Sequence, residues 1–214
     1  MTVRSLAPWL WLLELKTTAR ALDASGTPGA LAQALKGHFA AVDVLRPTPS
    51  ELEEVRALAV RQGWSADGFT LGSFMSPPWP DATFDCIALH DAFAKTVRTR
   101  ADAANVLTGL HRLLRPEGWL AVASPSAGFL RRSGTDGYAP AALSRLLSRA
   151  GFRDVRCLFV LPSLERPSTL IPDALDAIDA FEASSGERAW ARRAAARVGV
   201  RSALYTGYFM LACA

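Results

Sequence analysis

Short apolar runs bounded by turn residues and alternating with stretches of helical spacing, except for a proline-rich loop over 75–82, constrain this chain more than any other feature. They occupy residues 19–23, 39–44, 69–71, 84–89 and 119–123. Between them, 30–36, a segment opening at Pro49 and running to 60, and 101–114 carry helical patterning, with Ser50 and Glu53 placed to cap the second of these. Strand–helix alternation implies a mostly parallel sheet, because parallel neighbours need a crossover long enough to hold a helix. A further helix, 140–150, opens on a proline and ends at Gly151. Two late strands, 155–161 and 204–213, break the alternation and are expected to pair as an antiparallel edge. The expected fold class is α/β: a seven-stranded, mostly parallel sheet with an antiparallel last strand and helices on both faces.

Two hundred and fourteen residues, 50% of them hydrophobic, suit one domain spanning 1–214, with a core that needs no staple. Residues 4–18 read as an N-terminal helix, and 162–200 as a helical insertion before the last strand. The apolar stretch 6–15, broken by Pro8, is too short to cross a bilayer, which needs about 20 residues. Cys86, Cys157 and Cys213 lie far apart, which fits reduced thiols in a cytoplasmic protein and no metal site. The net charge of +4 permits weak attraction to anionic surfaces without requiring it.

The segment with most chemical content is Asp23-Ala24-Ser25-Gly26-Thr27-Pro28-Gly29, where a strand ends in an acid, turns through small residues and enters a helix. Exposed N–H groups there can receive a carboxylate or phosphate. Asp43 follows about twenty residues on, the interval expected of a strand-end carboxylate that holds ribose hydroxyls. A turn with two glycines before a helix is also common in any α/β protein, so the loop alone does not decide between a ligand site and a plain connection.

Three later segments follow in order: Pro-Pro-Trp-Pro-Asp-Ala-Thr-Phe-Asp-Cys-Ile-Ala-Leu-His-Asp over 77–91, Arg-Leu-Leu-Arg-Pro-Glu-Gly-Trp over 112–119, and Leu-Leu-Ser-Arg-Ala-Gly-Phe over 146–152. With the first loop, they make the chain resemble the Rossmann-like class I S-adenosylmethionine-dependent methyltransferases of the small-molecule type. The resemblance covers 19–155. It implies S-adenosylmethionine as cofactor, no metal, a small-molecule acceptor, and a cofactor site at Asp23, Ser25, Gly26, Gly29, Asp43, Ser73, Phe74 and His90. The loop departs from the family's D-x-G-x-G-x-G, since Ser25 and Thr27 stand at two glycine positions, and Ser73 stands where an adenine-binding aspartate is usual. A related loop, D-x-x-x-A-P-G, occurs in some RNA methyltransferases and accommodates Pro28.

His90 and Asp91 follow the fourth strand, where a histidine of near-neutral pKa could take a proton from an acceptor; His90 could equally cap the strand or stack beside adenine. The degenerate loop supports an alternative function, a non-catalytic subunit of the same fold serving as scaffold in a larger, membrane-associated complex. Peripheral membrane contact would then run through Trp9, Trp11 and the 162–200 insertion, where Asp173, Asp176, Asp179 and Glu182 stud one helix and Arg188, Arg192, Arg193 and Arg197 the next. The bland reading is two helices of opposite charge facing each other or water. Nucleic acid is not an expected partner, because the chain lacks an aromatic-interleaved basic run and the strand-four signature of base-modifying enzymes.

Overall fold

A computed structural model describes residues 7–26, 29–90, 93, 96–97, 99–125, 138–183 and 205–214; the side chain of Glu182 is outside that set. Among the described residues, eight strands form one sheet: β1 (Arg20–Asp23), β2 (Ala41–Arg46), β3 (Gly68–Leu71), β4 (Phe84–His90), β5 (Leu114–Pro125), β6 (Arg153–Ser163), β7 (Arg166–Pro172) and β8 (Gly207–Cys213), in the order β3-β2-β1-β4-β5-β8-β6-β7. β3, β2, β1, β4 and β5 run parallel, while β8 is antiparallel to both β5 and β6. The order doubles back between β1 and β4, which makes the C-terminal ends of those two strands the topological switch point where ligands of open α/β sheets sit.

The sheet has one strand more than the sequence pattern implies. The start of the supposed helical insertion is a hairpin, β6 to β7, and the helix expected from 171 begins only at Leu175. β8 is not an edge either; it lies between β5 and β6, so β7 forms that border. The helix expected over 187–198 lies outside the described residues.

Two apolar layers flank the sheet. α3 (Arg100–Leu113) and α4 (Pro140–Arg149) cover one face, packing Val106, Leu110, Leu143 and Leu147 against Leu22, Ile87 and Leu120. α1 (Ala30–Lys36), α2 (Pro49–Gln62) and the 3-10 turn Pro8–Leu12 cover the other, packing Leu31, Leu35, Val55 and Trp9 against Ala21, Val44 and Phe209. α5 (Leu175–Ala183) follows the hairpin. α2 and α3 each start at a threonine whose hydroxyl accepts a backbone N–H of the first turn, Thr48 from Glu51 and Thr99 from Asp102. Pro49 occupies the first helical position, so the α2 cap is Thr48 with Glu51, not the expected Ser50 with Glu53.

The N-terminal helix expected over 4–18 is not formed in its described part. The 3-10 turn buries Trp9 and Leu10, exposes Trp11 by 78%, and gives way to extended backbone at Leu13. Ala7, Trp9 and Leu10 enter the core and Leu13 and Leu15 pack against its rim, without the continuous stripe of a long helix.

Candidate ligand site at the strand ends

Three strands end in polar side chains that are almost fully buried: Asp23 on β1, Arg46 on β2 and His90 on β4. Side chains alternate along a strand, so Arg46 shares the α1/α2 face with Val42 and Val44, and Asp43, three positions earlier, lies on the opposite face. Asp43 is therefore not the strand-end carboxylate. It sits in the first half of β2, beside Leu22 and Gly68, and binds Arg20 through Nε at 2.6 Å and NH2 at 3.1 Å. A Cβ on Gly68 would lie 2.4 Å from Asp43 Oδ1, so glycine is what leaves room for that carboxylate.

The β2 end belongs to Arg46. Its NH2 donates to Asp23 Oδ2 at 2.9 Å, and its NH1 donates to the carbonyls of Asp23 at 3.0 Å and Leu45 at 2.8 Å. Asp23 Oδ1 accepts the Ser25 N–H at 2.9 Å and its hydroxyl at 2.5 Å. A buried carboxylate thus receives one cation and two further donors, which is what a charge taken out of water requires. Sequence reading missed Arg46 by ending the second strand at 44. The signal lay in Pro47-Thr48-Pro49, because a strand running into that cap extends to the residue before Pro47.

The loop after β1 then turns toward β4, and the Gly26 N–H donates to the His90 carbonyl at 2.9 Å. Beyond it, Ala24, Ser25 and Gly26 wall a cavity of about 130 Å³ with Leu45, Pro47, Glu51, Gly72, Ser73, Phe74 and Thr96. Four expected site residues, Ser25, Gly26, Ser73 and Phe74, are therefore brought together. Ser73 Oγ accepts the Met75 N–H at 3.1 Å, and Phe74 is buried.

Asp23, Gly29 and His90 are not among the described residues of that wall. Gly29 has φ +82° at the start of α1, and a Cβ there would meet Val55 at 3.1 Å and Leu58 and Trp64 at 3.3 Å. It lets α1 approach α2. His90 stacks on Phe209 at 5.2 Å between ring centroids, and its Nε2 has no hydrogen-bond partner among the described residues. Burial pushes its pKa down to about 4, against a smaller opposing pull from Asp23. A neutral imidazole enclosed in this way does not reach an acceptor, so the expected near-neutral base is corrected to a core histidine. Cys86, on the same face, has its thiol pushed up by burial and by neighbouring Asp85, which removes it as a nucleophile. Thr27, Pro28 and Asp91 lie outside the described residues.

Trp9 packs on Phe209 at 6.3 Å and is fully buried, whereas Trp11 is exposed. Among the described residues no group of three or more His, Cys, Asp or Glu side chains could hold a metal ion, and no helix is long and apolar enough to cross a membrane.

The family model for a methyltransferase domain matches residues 22–122, from Leu22 within β1 to Val122 within β5. No curated protein sequence matches the chain. Solved structures share its fold. A SAM-dependent methyltransferase from Leishmania major has 19% identity and a TM-score of 0.67, over 99% of this chain and 71% of that one. A protein from Galdieria sulphuraria assigned as a sarcosine dimethylglycine methyltransferase has 19% identity and a TM-score of 0.65, over 99% and 84%. The [4+2]-cyclase SpnF also has 19% identity and a TM-score of 0.65, over 99% and 80%.

Proposed function

We propose, for a chain that belongs to the class I S-adenosylmethionine-dependent methyltransferase superfamily, that the cavity at the strand ends takes S-adenosylmethionine and that the protein methylates a small-molecule acceptor. The observation that carries this reading is the convergence of Ser25 and Gly26, from the loop after β1, with Gly72, Ser73 and Phe74, from the loop after β3, on one cavity. The residues suit the cofactor at two ends. Ala24 to Gly26 would lie along its methionine part; Phe74 offers an apolar surface and Ser73 a hydroxyl proton to adenine. At the ribose, the strand-end position carries a cation in place of a carboxylate. When bound, S-adenosylmethionine supplies an electrophilic methyl group on a sulfonium sulfur. The protein's part is alignment of acceptor and methyl group, which by itself lowers the barrier substantially; His90 contributes no proton transfer.

Calorimetry with S-adenosylhomocysteine tests the reading, with micromolar binding expected. No heat and no thermal shift at millimolar ligand would end it. Transfer of a labelled methyl group to a panel of amines, phenols and carboxylic acids would then define the acceptor class.

The Arg46–Asp23 pair favours a second reading, a methyltransferase-fold protein that no longer binds the cofactor and serves as a subunit of a larger assembly. Fold alone does not specify methyl transfer, since one neighbour in the fold is named for a cyclisation. Exposed Trp11 would be the first contact to test on that reading, by co-purification of the wild-type chain and a Trp11→Ala variant.

A further inference from the structure

A ribose presents two hydroxyl protons, and a carboxylate accepts both, whereas a guanidinium only donates. Arg46 therefore cannot stand in for the acid it displaces, and its guanidinium is already committed to Asp23 and two carbonyls. A different carboxylate lines the same cavity. Glu51 lies five residues beyond Arg46, in the first turn of α2, and among the described residues of the wall it is the one ionisable side chain. Its Oε2 accepts the Thr48 hydroxyl at 2.9 Å while its N–H donates to Thr48 Oγ1 at 3.3 Å. The cap fixes backbone and carboxylate together, and it leaves Oε1 with no partner among the described residues.

Resting on the cofactor reading above, we infer that Glu51 accepts the ribose hydroxyls in this protein. The hydroxyl-binding acid has moved from the end of β2 to the first turn of the helix that follows it, and Arg46 has become the internal clamp on Asp23. Leu45 and Pro47, on either side of Arg46, line the cavity together with Glu51, so the helix start presents a carboxylate to the same cavity that the end of β2 borders.

The test is calorimetric titration of S-adenosylhomocysteine and its 2′,3′-dideoxy analogue against the wild-type protein, Glu51→Gln, and the exposed control Glu54→Gln. Glutamine retains the capping role, so the fold is preserved. Glu51→Gln is expected to weaken S-adenosylhomocysteine by about tenfold or more, the loss of a charged hydrogen bond, and to leave the dideoxy analogue unchanged. Glu54→Gln should match wild type with both compounds. If Glu51→Gln binds S-adenosylhomocysteine as tightly as wild type, or weakens both compounds equally, the inference falls and the cofactor reading stands. If the wild-type protein binds neither compound, both fall.

Discussion

Replacing Arg46 with methionine keeps most of the stem volume and deletes the guanidinium. Arg46 is 1% exposed and Asp23 0%, so the carboxylate left behind has no water to turn to. Removing one member of a buried ion pair costs about 3–5 kcal/mol, chiefly the penalty of the stranded charge. Asp23 would retain the two hydrogen bonds from Ser25, which places the expected loss near the lower limit, about 3 kcal/mol. For a chain of this length that lowers Tm by roughly 6–12 °C. Urea unfolding at pH 7, with the slope unchanged between variants, measures it. Adding Asp23→Asn to the same background removes the stranded charge, and the double variant should recover about 1 kcal/mol or more relative to Arg46→Met alone. A loss below about 1 kcal/mol for Arg46→Met, or a double variant less stable than the single, would refute the claim that the pair is a charge clamp.

Other outcomes follow from the same geometry. Asp43→Asn should cost about 1–2 kcal/mol by weakening the two bonds from half-exposed Arg20, yet leave S-adenosylhomocysteine affinity unchanged; a selective loss of affinity would return Asp43 to the site. Because folded His90 has its pKa near 4 against an ordinary 6.5, the unfolded chain binds a proton that the folded chain refuses between those values. Stability should thus fall as pH drops from 6.5 toward 4, by up to about 3 kcal/mol from this group, and His90→Leu should flatten that window in urea titrations. Burial raises the Asp85 carboxylate, but hydrogen bonds from Thr17, the Arg20 N–H and Arg115 outweigh it and hold it below the usual range, so its own contribution is lost only further into acid. Gly29→Ala should cost about 1–2 kcal/mol for the left-handed backbone and more for its Cβ against Val55, read as a shifted urea midpoint.

The alternation of short apolar runs with helical spacing settled the parallel half of the sheet, since β1 to β5 have no other way to bury both faces. Proline punctuation marked α2 and α4, and the family resemblance singled out Ser25, Gly26, Ser73 and Phe74, which line one cavity. These properties are local, or depend only on the period of a pattern. The tertiary structure decided that the polar residue closing β2 is turned onto the buried Asp23 carboxylate. A strand's end is set by its neighbours' register, and a shift of one residue sends each side chain to the other face, so Asp43 and Arg46 exchange roles without any change in composition. It also decided that β8 slots between β5 and β6, that Trp9 turns inward while Trp11 does not, and that His90 is sealed against Phe209. Each of those outcomes depends on contacts between residues far apart in the chain, which no periodicity encodes.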